Sequence, residues 1–234
     1  MRCLLVSLAL LAAPPVAPPA GVPPHVRAME SAVPTESDPV KEPASWLLSF
    51  LDVETTGLVP GYHEMIDAGF VVTDLDGAVK DSLFLRVQPE HPERLSAGAQ
   101  RVNGFDAAKW RKLHALSSRA AVESIVAFHR RVAGDKHVLL VAFNCQFDTS
   151  FLDHLFRRAG RSWRELYHYF VLDLPSMAWS LGYRDLKNDA LARRLGVPDE
   201  PRVAVEHTGL TGAELNVRIY RALRQKGAAP PPDR

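Results

Sequence analysis

The feature that most restricts how this chain can fold is the run Trp46-Leu-Leu-Ser-Phe-Leu51, which passes directly into Asp52-Val-Glu54 and a Thr55-Thr-Gly57 turn. An apolar run of this length suits a strand at the centre of a sheet, covered on both faces. Residues two apart on a strand point to the same side, so Asp52 and Glu54 would present two carboxylates together at its end. Buried carboxylates repel one another and lose hydration, and a shared divalent cation relieves both costs. The plainer alternative is a strand-end pair facing solvent, which fits poorly with the apolar residues leading into it.

Further segments alternate in kind. Met65–Thr73 is β-rich, Leu75-Asp76-Gly77-Ala78 carries a hairpin turn signal, and 79–87 completes a three-strand meander. A short helical stretch is expected at 96–102. A longer helix follows at 117–132, where Ala121, Ile125, Phe128 and Val132 share one face. Residues 137–143 read as another buried strand, 146–159 as a helix, and 169–172 as a fifth strand. Helices at 175–181, 186–195 and 210–225 complete the order. Strands and helices in this sequence predict an α/β fold, a mixed central sheet with helices on both faces. At 234 residues and 47% hydrophobic composition, one core is sufficient to account for the chain.

Two more segments carry chemistry. In Val141-Ala-Phe-Asn144-Cys-Gln-Phe147-Asp148, an apolar strand feeds a polar turn, and Asp148 falls in the first turn of the next helix. Helix capping by Asn144, with Asp148 complementing the helix dipole, is the structural alternative. Strand ends of one sheet converge on a common edge, however, which would bring Asp148 toward Asp52 and Glu54. Val205-Glu206-His207-Thr208 precedes the final helix, and a histidine there suits a general base working near neutrality. The alternative is a polar surface histidine.

In order and spacing, these three segments resemble the DEDD exonuclease superfamily, in the histidine-containing (DEDDh) branch that includes proofreading subunits of bacterial replicative polymerases. The resemblance spans about residues 46–225, and Leu186-Lys-Asn-Asp-Ala-Leu-Ala-Arg-Arg-Leu-Gly196 is similar to the helix placed before the family's last motif. It implies a ribonuclease H-like fold, two Mg²⁺ or Mn²⁺ ions, and 3′→5′ hydrolysis of single-stranded DNA or RNA to nucleoside 5′-monophosphates. By that resemblance Asp52, Glu54 and Asp148 hold the metals and His207 deprotonates the attacking water. Thr55 and Leu58 position the strand's 3′ end, and a polymerase is a conceivable partner.

One departure stands out. The family pattern has an aspartate five residues after the histidine, where this chain has Gly212. Glu214 lies about 200° further round a helix and should face elsewhere, Thr211 is a poor metal ligand, and Glu206 would need a different loop path. Weakened metal binding and reduced turnover are the expectation. A catalytically weak module of the same fold, binding nucleic acid or docking a polymerase, is the alternative.

Bulk charge excludes a chain that binds nucleic acid by charge alone, since 28 basic and 27 acidic residues leave +1. Basic clusters at Arg157, Arg158, Arg161 and Arg164, and at Arg218, Arg221, Arg224 and Lys226, read more readily as solvated helix faces than as phosphate tracks. The two cysteines, Cys3 and Cys145, make no disulfide framework. Residues 1–44 read as a signal-like or spurious leader followed by a disordered linker, 45–226 as the exonuclease domain, and 227–234 as a disordered tail. Arg2 and the apolar run from Leu4 to Ala13 imply export if they form a signal peptide, but are too short for a membrane span. Translation from Met29 would imply a cytoplasmic protein.

Overall fold

The computed structural model describes residues 21–23, 26–27, 37–204 and 206–228, so most of the expected leader and the end of the expected tail lie outside the described residues. Strand β1 (Trp46–Thr55) runs through the centre of a five-stranded sheet. β2 (Met65–Thr73) and β3 (Val79–Arg86) extend it on one side, and β4 (His137–Ala142) and β5 (Val171–Asp173) on the other, in the order β3-β2-β1-β4-β5. The meander β1-β2-β3 is antiparallel, while β4 and β5 run parallel to β1. The sheet is therefore mixed, as the sequence pattern predicts.

Helices cover both faces because β1, β2 and β4 are apolar on both. On one side α3 (Ser118–Ala133) and α4 (Cys145–Arg158), the latter through Phe156, pack over Leu51, Phe70 and Leu140. On the other, α5 (Leu174–Ser180), α6 (Asn188–Leu195) and α7 (Gly209–Ala228) enclose Leu48, Phe50, Val141, Leu191 and Ile219. Phe50 meets Tyr220 of α7 edge to face at 5.3 Å. Two short helices, α1 (Ala97–Asn103) and α2 (Ala107–Lys112), lie after β3. α2 was not expected from the sequence, and Trp110 anchors it by donating its indole N–H to the Ile66 carbonyl at 2.8 Å. α7 also continues to Ala228, past the expected end at 225 and into the expected tail.

The approach of α7 to the sheet is unusually close. A Cβ at Gly69 of β2 would lie 2.2 Å from the Leu210 backbone, and one at Gly209 would lie 2.5 Å from the Asp52 carbonyl oxygen. Only glycine on both surfaces lets the helix start sit on β1 and β2 at that spacing. Polar contacts fasten it there: the Gly209 amide donates to Asp67 Oδ1 at 2.9 Å, and Asn216 Nδ2 donates to the Leu51 carbonyl at 3.1 Å.

Candidate active site

The end of β1 is where the sheet opens. Its pairing with β4 stops at Phe50, while its pairing with β2 continues to Thr55, leaving the β4-facing edge beyond Phe50 free. Asp148, in the first turn of α4, fills that edge, and its Oδ1 accepts the Val53 amide at 3.1 Å. Asp148 thus turns inward to β1 and is only 2% exposed. The helix-capping alternative fails at Asn144 and holds in part at Asp148, which stays in the first turn of α4. Asn144 takes a left-handed conformation (φ 64°, ψ 58°) and makes no side-chain cap, and the Cys145 amide donates instead to Asp173 Oδ1 at 3.0 Å.

Asp52 and Glu54 do share a face, the one covered by α7. Their antiparallel partners are Gly69 and Asp67, so Asp67 adds a third carboxylate directly across from Glu54. His207, in the loop before α7, places Nε2 3.0 Å from Glu54 Oε1, and Asn103 Nδ2 donates to Glu54 Oε2 at 3.3 Å and to the Thr55 carbonyl at 3.0 Å. On its other side, His207 Nδ1 lies 3.3 Å from the Pro201 carbonyl and 3.4 Å from Glu200 Oε2.

Concentrated charge perturbs this cluster. Burial, then the charges of Asp148, Glu54, Glu200 and Asp67, push the Asp52 carboxyl well above the usual aspartate range. Burial likewise raises Asp148, with Glu54 and Asp173 adding to it against its backbone hydrogen bonds. Asp67 is pushed up to about 7, first by burial and then by Glu54. His207 moves up because it is hydrogen-bonded to Glu54. Buried hard oxygen donors that repel one another in this way have the chemistry of a site for a hard divalent cation. Among the described residues, no three His, Cys, Asp or Glu side chains stand close enough to hold one ion; Glu54 contacts His207 and Asn103, and Asp148 accepts from the Val53 amide.

Gly212 faces the cluster, but the space beside it is taken: a Cβ there would lie 2.3 Å from Asp52 Oδ2. Glu214 is exposed and Glu206 is exposed, so neither replaces the missing carboxylate. Thr211 instead donates to Glu200 Oε2 at 3.3 Å.

Beside Glu54 opens a cavity of about 230 Å³ lined by Thr55, Leu58, Val102, Asn103 and Phe147. Leu58 stands 79% exposed at its mouth, whereas Thr55 is buried and its hydroxyl donates to the Gly57 carbonyl at 2.7 Å. Asp67, Asn103 and Glu200 were not found by sequence reasoning. Asn103 was within reach, because it closes the expected helix immediately before Gly104. Each arginine of the two basic clusters already has a partner among the described residues. Arg157 pairs with Asp153, Arg158 with Glu64 and Glu90, and Arg161 with Glu123 and Glu165. Arg164 donates to the His168 carbonyl, Arg218 to that of Pro198, Arg221 to that of Gly77, and Arg224 pairs with Asp76. Among the described residues, no helix is long and apolar enough to cross a membrane.

Comparison with known proteins agrees with this architecture. The sequence model described as Exonuclease (RNase_T) matches residues 49–220. The zinc-ion-bound form of an E. coli exonuclease I complex with single-stranded DNA is 16% identical with a TM-score of 0.63, over 77% of this chain and 40% of that one. Apo exonuclease I is 14% identical with a TM-score of 0.60, over 76% and 42%. This chain thus spans less than half the length of the exonuclease I chains. A 3′-exonuclease that recognises the 3′ end of the histone mRNA stem-loop is 16% identical with a TM-score of 0.61, over 77% and 82%. At these identities the likeness is one of fold. No curated protein sequence matches the chain significantly. With the ribonuclease H-like sheet in place and the family's sequence model matched over most of the described residues, the chain belongs to the RNase_T exonuclease family of the DEDD superfamily.

Proposed function

We propose that this protein is a metal-dependent 3′→5′ exonuclease that acts on single-stranded DNA or RNA ends and releases nucleoside 5′-monophosphates. The observation that carries this reading is the contact of His207 Nε2 with Glu54 at 3.0 Å, inside a cluster of repelling buried carboxylates and beside an open cavity. Asp52, Glu54 and Asp148 would hold two divalent cations, which supply neutralisation of phosphate charge and acidification of water.

The chain's own residues account for the rest. Asn103 fixes the Glu54 carboxylate from behind through its two hydrogen bonds. His207 Nε2, aimed at the same carboxylate, takes the proton of the attacking water. Leu58, Val102 and Phe147 offer apolar surface to a terminal base, and the backbone at Thr55 borders the sugar-phosphate side. In-line attack then breaks the terminal P–O3′ bond, and the nucleotide leaves with its 5′-phosphate.

Gly212 lowers the turnover of this site, because one carboxylate of the family pattern is missing. It also favours a second reading, a catalytically weak module that holds strand ends or docks a polymerase. Degradation of 5′-labelled DNA and RNA oligonucleotides with Mg²⁺ or Mn²⁺, beside Asp52→Ala, tests the proposal. Stepwise shortening from the 3′ end by the parent alone is expected. Strand binding with no metal-dependent cleavage would replace the first reading with the second.

A further inference from the structure

A single strand held by its 3′ end must leave the carboxylate cluster along some course, and a second cavity adjoins the first. This cavity, of about 970 Å³, opens beside Asn144. Phe147 borders the smaller cavity next to Glu54, and its amide donates to the Asn144 carbonyl at 2.9 Å. Both cavities therefore share one turn of chain, the first of α4, which also carries Asp148. Arg202, which lines the larger cavity, ties it to the site from another element. It pairs with Glu200 Oε1 at 3.2 Å, and Glu200 Oε2 lies 3.4 Å from His207 Nδ1.

The larger cavity combines cationic and apolar surface. Its two carboxylates are already engaged, Asp189 with Arg193 at 3.2 Å and Asp199 with Arg202 at 2.7 Å. Its third cation, Lys187, is exposed and has no acidic partner among the described residues. Lys187 belongs to neither of the arginine clusters read from the sequence. Next to it Leu186 is 68% exposed, and Phe143 and Pro175 add half-buried apolar surface. Asn144 stands exposed where the two cavities meet, in its left-handed conformation and with no cap bond from its side chain. A free cation beside apolar faces suits a single strand, whose phosphate takes the charge and whose unpaired base covers the apolar surface.

We propose that this cavity holds the nucleotides on the 5′ side of the scissile bond, with Lys187 on a phosphate and Leu186 and Phe143 against a base. The proposal rests on the nuclease reading for the direction of the strand, but its binding content can be measured without cleavage. Fluorescence anisotropy of a 5′-labelled single-stranded octanucleotide, titrated with the full-length protein in EDTA, is the first measurement. Lys187→Ala should raise Kd about threefold or more and lower the slope of log Kd against log salt by about 0.7, the value for one phosphate contact on a single strand. Lys187→Glu should weaken binding further, and Lys187→Arg should restore it. Leu186→Ala should raise Kd several-fold with the salt slope unchanged. Both side chains are exposed, so all four variants should melt within about two degrees of the parent.

Cleavage gives the second readout. A dinucleotide without a 5′-phosphate carries only the scissile phosphate, so Lys187→Ala should leave its KM unchanged while raising that of the octanucleotide, with kcat within about twofold on both. Octanucleotide Kd values within about 1.5-fold of the parent in both Lys187→Ala and Lys187→Glu refute the assignment and leave Lys187 a solvated surface residue. Equal losses on the dinucleotide and the octanucleotide also overturn it. A parent that cuts no oligonucleotide refutes the nuclease reading instead, and the metal-free binding series then decides whether this cavity holds a strand.

Discussion

Replacing Gly69 with alanine tests the account of how α7 is seated. The new Cβ would lie 2.2 Å from the Leu210 N and Cα atoms and 2.3 Å from the Gly209 carbonyl carbon. These are backbone atoms and cannot rotate aside. Ordinary contact between such atoms is about 3.5–4 Å, so the helix start must withdraw by roughly 1.5 Å. Overpacking of this kind costs about 1–3 kcal/mol. The same shift breaks the bond from the Gly209 amide to Asp67, and a buried group left unsatisfied costs about 1–3 kcal/mol more. A loss of about 3 kcal/mol is a conservative sum of the two. In urea at pH 7, with a slope near 2 kcal/mol/M, the midpoint should fall by about 1.5 M at constant slope. Gly98→Ala is the control, because its Cβ meets nothing closer than Ser96 Oγ at 3.9 Å within α1. There the same chemical change should stabilise by about 0.5–1 kcal/mol through helix propensity. A Gly69→Ala midpoint within about 0.3 M of the parent would refute the close-seating argument.

Asp52→Asn removes one charge from a buried set of like charges, so without added metal it should raise Tm by a few degrees while abolishing cleavage. An unchanged or lower Tm in calorimetry would mean that the repulsion is already relieved in the protein alone. Leu58→Ala at an exposed position should leave Tm within about a degree but raise KM for single-stranded substrate several-fold, and an unaltered KM would remove Leu58 from the binding surface. His129, on the far side of the sheet, makes an acid-sensitive contribution of its own. Burial depresses His129 to about 4 while its Nδ1 faces the Ile125 carbonyl at 2.9 Å and Tyr167 contacts its Nε2 at 2.7 Å. Below its usual value near 6.5 the unfolded chain takes a proton that the folded one refuses. Its contribution is therefore complete above pH 6.5 and is lost as pH falls to 4, by about 3 kcal/mol. Urea midpoints from pH 7 to pH 4 should decline less steeply in His129→Gln, and parallel curves would dismiss the explanation.

How far the sequence could carry these conclusions depended on whether the information was local. β1 and the shared face of Asp52 and Glu54 follow from strand periodicity, and the turn at Asn144 follows from a strand meeting a helix start. The fifth strand was harder. β5 is only three residues long and half-exposed at the sheet edge, so it was expected two residues too early. α2 escaped notice because Ala107–Lys112 is barely longer than one turn, and its anchor, Trp110 on Ile66, is a tertiary contact. Asp67 could be placed opposite Glu54 only once the β1–β2 register was known. Glu200 lies on an irregular loop, whose path no periodicity describes. The crowding of Gly212 by Asp52 is likewise a matter of side-chain position, where spacing alone registered just a missing ligand.

The seating of α7 has a consequence for the order in which the protein becomes competent during synthesis. The ribosome delivers β1, with its carboxylates, more than 150 residues before Asn216 arrives to bind the Leu51 carbonyl. Until α7 emerges, the Asp67 side chain lacks the Gly209 amide, His207 has no fixed approach to Glu54, and one face of the sheet lies bare. A nascent chain with every strand already made therefore carries its buried carboxylates without the His207 contact and without the helix that covers them, and the proposed site is complete only after the last described helix has docked.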